Sequence, residues 1–207
     1  MHTANLIWIT PDAEKLIGKI ARVSNPKNEN NPKVERLIQY LIEHKHWSPF
    51  EMASMCVEIC TTRAIAPQIL RHRSFSFQEF SQRYAEAVDA YVPQLRRQDK
   101  KNRQNSIDDI DFAVKLDFQE KIDNHFDDAF NLYQDMLAAG VAKECARSVL
   151  PLNTETRLYM SGTIRSWIHY VDLRADDSTQ LEHRQIARHI RQILADNLPT
   201  ICHAMWD

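Results

Sequence analysis

The chain has 207 residues, 43% of them hydrophobic, which is enough for one substantial domain with a buried core, residues 1–207. Its 26 Lys and Arg against 28 Asp and Glu leave a formal charge of −2, so no global attraction to nucleic acid or to an anionic membrane is expected and basic character must be local. Three glycines, Gly18, Gly140 and Gly162, allow neither a P-loop nor a Gly-x-Gly-x-x-Gly fingerprint, so any nucleotide is held by side chains.

Residues 1–10 lack a basic region followed by an apolar stretch, and no window is long enough to span a bilayer, so a cytoplasmic protein with no membrane partner is expected. Residues 5–10 are a β-prone run followed by Pro11, Asp12 and Glu14, which reads as strand, cap, helix with Thr10 as N-cap. After Asn31-Pro32, the apolar Leu37, Ile38, Leu41 and Ile42 share one helical face that ends near His44. The stretch from His46 to Glu51 reads as an irregular turn, because Pro49 favours extended geometry at Ser48. Met55, Val57 and Ile59 then alternate with Cys56, Glu58 and Cys60 as a half-buried strand.

Residues 63–70 form a short helix or buried turn and lead into Arg71-His72-Arg73-Ser74-Phe75-Ser76-Phe77-Gln78-Glu79-Phe80-Ser81-Gln82-Arg83-Tyr84. Arginine forks and serine hydroxyls suit phosphate oxygens, and the interleaved phenylalanines anchor the stretch or stack on planar rings, which points to a nucleotide. Residues 85–106, with Arg96, Arg97, Lys100, Lys101 and Arg103, read as a solvated surface loop with a possible role as a lid. Val114, Phe118, Ile122, Phe126, Phe130, Tyr133 and Leu137 recur at helical spacing until Gly140, a helix of about 45 Å at ~1.5 Å per residue that suggests packing beyond its own subunit. Residues 143–150 read as a short helix stopped by Pro151, and residues 154–172 and 178–198 as two more. The fold class expected is therefore α+β, with a helical C-terminal half.

The four cysteines, Cys56, Cys60, Cys145 and Cys202, are scattered and have the look of reduced thiols without a catalytic setting. The histidines offer no metal spacing, since His183 and His189 are six apart and fall on different sides of a helix. Ser81 lacks the Gly-x-Ser-x-Gly turn of a nucleophile and reads as a phosphate ligand. Arg147, Arg165 and Arg174 stand at helix ends, and Arg174 lies where the helical pattern breaks.

Arg71-His72-Arg73, seven residues and Ser81 match the Arg-His-Arg-x7-Ser signature, and the chain resembles the flavin-dependent thymidylate synthases. Further blocks in family order are Ala21-Arg22-Val23-Ser24, His46-Trp47-Ser48-Pro49-Phe50-Glu51, Gln68, Ser81-Gln82-Arg83-Tyr84, Ala146-Arg147-Ser148-Val149-Leu150-Pro151 and Leu173-Arg174-Ala175-Asp176. The resemblance implies a small, mainly antiparallel central sheet with long helices in an intertwined homotetramer. It also implies FAD shared between subunits and dUMP converted to dTMP with methylenetetrahydrofolate and NADPH as co-substrates. It places Ser24, Ser48, Arg71, His72, Arg73, Glu79, Thr163, Ile164, Arg165 and His169 around FAD. Around dUMP it places Gln68, Ile69, Leu70, Arg71, Glu79, Phe80, Ser81, Gln82, Arg83, Arg147 and Arg174. Arg174 would stabilise charge on the uracil, and His46 would lie near flavin and folate. Met52, Gln78, Thr163 and His169 depart from the residues most frequent in the family. A different class of function, an RNA-binding module built on the basic stretch 96–103, fits no standard RNA-recognition spacing.

Overall fold

The computed structural model describes residues 2–207, so Met1 of the N-terminal stretch lies outside the described residues. Strand β1 (Thr3–Ile9) leads through Pro11 into helix α1 (Ala13–Ala21). Thr10 is not the N-cap: Asp12 takes that place in a left-handed conformation, φ 49°, while the Thr10 side chain exchanges hydrogen bonds with the backbone of Ser54 at 2.9 and 3.2 Å. The strand's pairing need thus overrides the capping preference. Gly18 lets α1 approach Val34 at the mouth of helix α2 (Glu35–Glu43), since a Cβ there would lie 2.4 Å from Val34 Cγ1. Ser48 does not extend; it starts a 3-10 turn, Ser48–Glu51, whose Pro49 and Phe50 are buried.

Strand β2 (Ser54–Thr62) buries Met55, Val57 and Ile59 completely, as their alternation requires. The short helix α3 (Ala66–Ile69) and strand β3 (Ser76–Glu79) bracket the Arg-rich turn. Residues 85–106 are more ordered than a solvated loop, because Arg97–Gln98 (β4) and Ser106–Ile107 (β5) pair as a hairpin. Helix α4 (Phe112–Ala138) is 27 residues long, about 40 Å at ~1.5 Å per residue. Asp111 caps it by accepting from the amides of Ala113 and Val114, and Gly140, φ 85°, ends it in the conformation glycine tolerates best. Helix α5 (Lys143–Ala146) and a 3-10 turn, Arg147–Val149, follow.

The C-terminal half is not all helix. Residues 155–163 form strand β6 (Glu155–Thr163), a central strand of the sheet, which has the order β1-β2-β6-β3 and is antiparallel throughout. Thr156, Leu158 and Met160 face the core while Arg157, Tyr159 and Ser161 face outward, a period of two. No loop separates this strand, which carries Gly162 near its end, from helix α6 (Ile164–Arg174). Thr163 ends one element and caps the next by accepting from the amide of Ser166 at 3.3 Å. Helix α7 (Leu181–Asn197) and a further helix not foreseen in the sequence, α8 (Pro199–Trp206), complete the fold. Met55, Val57, Ile59, Leu158 and Met160 of the sheet pack on Trp167, Ile168, Val171, Ile186 and Ile190 of the helices, each side chain at most 1% exposed. Each such burial contributes roughly 1.5–3 kcal/mol, and Trp167 keeps its indole N–H satisfied by donating to the Met55 carbonyl at 3.0 Å.

Candidate active site

The Arg-rich turn between α3 and β3 is tied to both ends of α6. Near its start the Ser166 hydroxyl donates to the Ser74 carbonyl at 3.3 Å, and at its end Arg174 Nε donates to His72 Nε2 at 3.0 Å. Since Nε2 accepts, His72 is neutral with its proton on Nδ1. Burial, assisted by the Arg174 charge, holds the His72 imidazole down at about 4. Its ring meets the Tyr170 ring edge-on, centroids 4.9 Å apart, and Tyr170 in turn shares a 3.0 Å hydrogen bond with the fully buried His183. Burial, and then the charges of Arg174 and His72, lower His183 to about 3. One permanent cation, Arg174, is therefore bonded to one neutral imidazole, His72, and the second neutral imidazole, His183, bonds to Tyr170. Gly162 contributes by having no side chain: a Cβ there would meet the Phe75 ring at 2.5 Å, and Phe75 packs at the His72 ring.

Arg174 opens onto a cleft of about 530 Å³ lined by Gln68, Leu173, Thr179 and Gln180, and by Arg103 and Gln104 from the tip of the β4–β5 hairpin. The last two escaped sequence reading because nothing in residues 85–106 signals that the hairpin folds back to α6. Gln68 donates to Gln180 at 2.7 Å, which fixes α3 to the segment after α6.

A second cleft, about 350 Å³, is lined by Arg63, Gln82, Glu144, Arg147, Ser148 and Thr154 and shares no lining residue with the first. Gln82 is buried, and among the described residues its Nε2 donor has no partner, so this wall is set to meet an acceptor such as a phosphate oxygen. Glu79 accepts from Arg63 at 3.2 Å and from Thr156 at 3.0 Å, so it orients Arg63 and not the Arg71 turn. Ser81 Oγ accepts from the Arg83 amide at 3.4 Å, and among the described residues no histidine bonds to it; Arg83 pairs with Glu144 at 3.2 Å.

Of the residues expected around FAD, His169, Arg165 and Ser48 lie near one another on and beside α6, while Glu79 and Ser24 lie apart from them and Ile164 is buried. His169 lies against Trp47, ring centroids 5.3 Å apart, Arg165 pairs with Glu51, and Ser48 stands in the same 3-10 turn. His46 is exposed in a group with Tyr40 and His44. Ser24 lies in the turn after α1 and makes no hydrogen bond to any of these. Arg71 and Arg73 are exposed and, among the described residues, make no ion pair, a donor set that fits a diphosphate. Ile69 and Ile164 are fully buried, so only their backbone can meet a ligand, whereas Leu70 is exposed and Phe80 and Thr163 are half-buried.

Unpaired arginines, a buried orphan amide and an arginine bonded to a neutral histidine fit a nucleotide-binding enzyme that works without a glycine-rich loop. Comparison with known proteins agrees. Residues 5–200 match the family described as thymidylate synthase complementing protein. The chain is 55% identical over 192 residues to a flavin-dependent thymidylate synthase of Synechocystis sp., covering 93% of this chain and 89% of that protein. It is 49% identical over 195 residues to a probable flavin-dependent thymidylate synthase of Paramecium bursaria Chlorella virus 1, covering 93% and 90%. Its backbone is similar to the crystal structure of a UMP/dUMP methylase, PolB from Streptomyces cacaoi, bound with 5-Br dUMP, with TM-score 0.87, 27% identity, and 99% and 94% of the two chains covered. The chain belongs to the flavin-dependent thymidylate synthases.

Proposed function

We propose that the protein makes dTMP from dUMP, taking the one-carbon unit from methylenetetrahydrofolate and reducing equivalents from NADPH through bound FAD, and releasing tetrahydrofolate. The observation that carries this reading is the seat of Arg174. A guanidinium fixed by a neutral imidazole, at the mouth of a cleft, can stabilise negative charge developing on the uracil ring and so make C5 a carbon nucleophile. An enzyme thiolate has no evident part in this. Burial pushes Cys56 and Cys60 up and Cys202 up to about 12, and Cys145 lines neither cleft.

Arg71, His72, Arg73, Ser48, Glu79, Thr163, Ile164, Arg165 and His169 would hold FAD, with Ser24 at the margin and His46 near flavin and folate. FAD, when bound, supplies the two-electron redox chemistry that completes the methyl group. Gln82 and Arg147 would bind the dUMP phosphate, with Ser81 and Arg83 beside them, while Gln68, Arg174 and the backbone of Ile69 and Leu70 would meet the base or sugar.

In one chain Gln82 and Arg147 line one cleft and Gln68 and Arg174 another, and helix α4 leaves Phe112, Val114, Leu116 and Phe118 exposed at 73, 45, 48 and 51%. Both observations support an intertwined homotetramer in which each site is completed by a neighbouring copy. Among the described residues no helix is long and apolar enough to cross a membrane, in keeping with a cytoplasmic enzyme. The visible absorption spectrum of the purified protein, with a dTMP assay, tests the whole. A flavin spectrum and dUMP- and folate-dependent NADPH oxidation are expected, and a colourless protein that forms no dTMP would sink the reading.

A further inference from the structure

The basic stretch of residues 96–103 is sorted by the fold into two kinds of charge. Arg96 and Arg97 are used inside the protein. Arg96 donates to Glu182 at 2.7 Å and to Ser106 Oγ at 2.8 Å, in an ion pair whose side chains are 11% and 13% exposed, and Arg97 forks onto Asp109. These bonds fix both strands of the hairpin. Within it, Asp99 accepts from the amides of Lys101 and Asn102 and from the Asn105 side chain, and the Gln98 amide donates to the carbonyl of Arg103. The tip is therefore held in one shape.

That tip presents Arg103 to the cleft of Arg174. The Arg103 guanidinium makes no hydrogen bond or ion pair among the described residues, and Gln104 lies beside it. Among the described residues no carboxylate lines the cleft, and of those nearby Asp176 is engaged by Ser178, Asp177 by Arg184 and Arg188, and Glu182 by Arg96. A cleft with two guanidinium groups and no free acid favours an anion. We propose, on the strength of the dTMP-forming reaction set out above, that Arg103, with Gln104 beside it, binds an anionic group, phosphate or carboxylate, of a substrate that enters the Arg174 cleft.

Steady-state kinetics of the holoenzyme carrying Arg103→Ala, Arg103→Glu or Arg103→Lys, with Lys100→Ala as control, test this. The expected result is a KM for one substrate raised about ten-fold or more in Arg103→Ala, further raised in Arg103→Glu and largely restored in Arg103→Lys, with kcat and FAD content near wild type. A rise for dUMP assigns the nucleotide phosphate, a rise for folate that depends on its glutamyl groups assigns their carboxylates, and a rise for NADPH assigns its phosphates. Values within about two-fold of wild type for every substrate in Arg103→Glu overturn the proposal. If the wild type forms no dTMP, the reading of the enzyme falls separately. Calorimetric titration of dUMP, methylenetetrahydrofolate and NADPH into wild type and Arg103→Glu then decides the hairpin: weaker binding of any one supports it and equal binding of all overturns it.

Discussion

At the scale of single residues, Arg174, bonded to the neutral imidazole of His72, is the group proposed to act on the uracil. Arg174→Ala is expected to abolish dTMP formation while FAD stays bound, checked by product assay beside the visible spectrum; turnover at the wild-type rate would remove Arg174 from the mechanism. The layer below can be probed separately. Tyr170→Phe deletes the hydroxyl that meets His183 Nε2 and strands a buried polar atom, which costs about 1–3 kcal/mol, read as a lower denaturant midpoint with unchanged FAD content. The chain order announces Arg174 by a break in helical pattern and by its family block. Nothing in the sequence alone says that His72, remote in the chain, supports it from below, or that Arg103 shares its cleft. Both depend on tertiary placement: α6 must cross the Arg-rich turn, and the hairpin must fold back to α7.

Among the elements, β6 shows where sequence patterning was ambiguous. Its alternation of Thr156, Leu158 and Met160 with outward residues is a strand signal, but only the single Gly162 and no turn stands between it and the helical spacing of Ile164, Trp167, Ile168 and Val171. A reading at helical period absorbs both. β2 carried the same alternation but was bounded by a turn on one side and Pro67 on the other, and was legible. Helix α4 was legible as a helix, but among the described residues its apolar packing lies in its C-terminal part: Tyr133 is fully buried while Phe118 is half exposed. Phe118→Glu is therefore expected to leave the monomer fold intact and to shift the proposed tetramer toward smaller species in light scattering, with loss of bound FAD. An unchanged mass would show that this face is not a subunit contact.

The whole molecule carries a pH dependence of defined sign. His72 and His183 both have folded values below the ordinary 6.5, so as pH falls from about 7 toward 4 the unfolded chain takes up protons that the folded chain refuses. Stability is fully present above that window and is lost within it, His183 contributing at most about 1.4 kcal/mol per pH unit. The denaturant midpoint should fall between pH 7 and pH 5, and the fall should shrink in His183→Leu. An equal fall in the variant would place the loss on other groups.

The separation of the Arg147 and Arg174 clefts has a genetic corollary. If each site draws one cleft from each of two copies, a chain lacking Arg174 and a chain lacking Arg147 are defective in complementary ways. A mixed assembly of the two would then contain some sites with both arginines intact. Co-expression of Arg174→Ala and Arg147→Ala chains in a thymidine-requiring host should restore growth that neither chain supports alone. A persistent thymidine requirement, in cells shown to assemble mixed oligomers, would mean that each copy completes its site by itself.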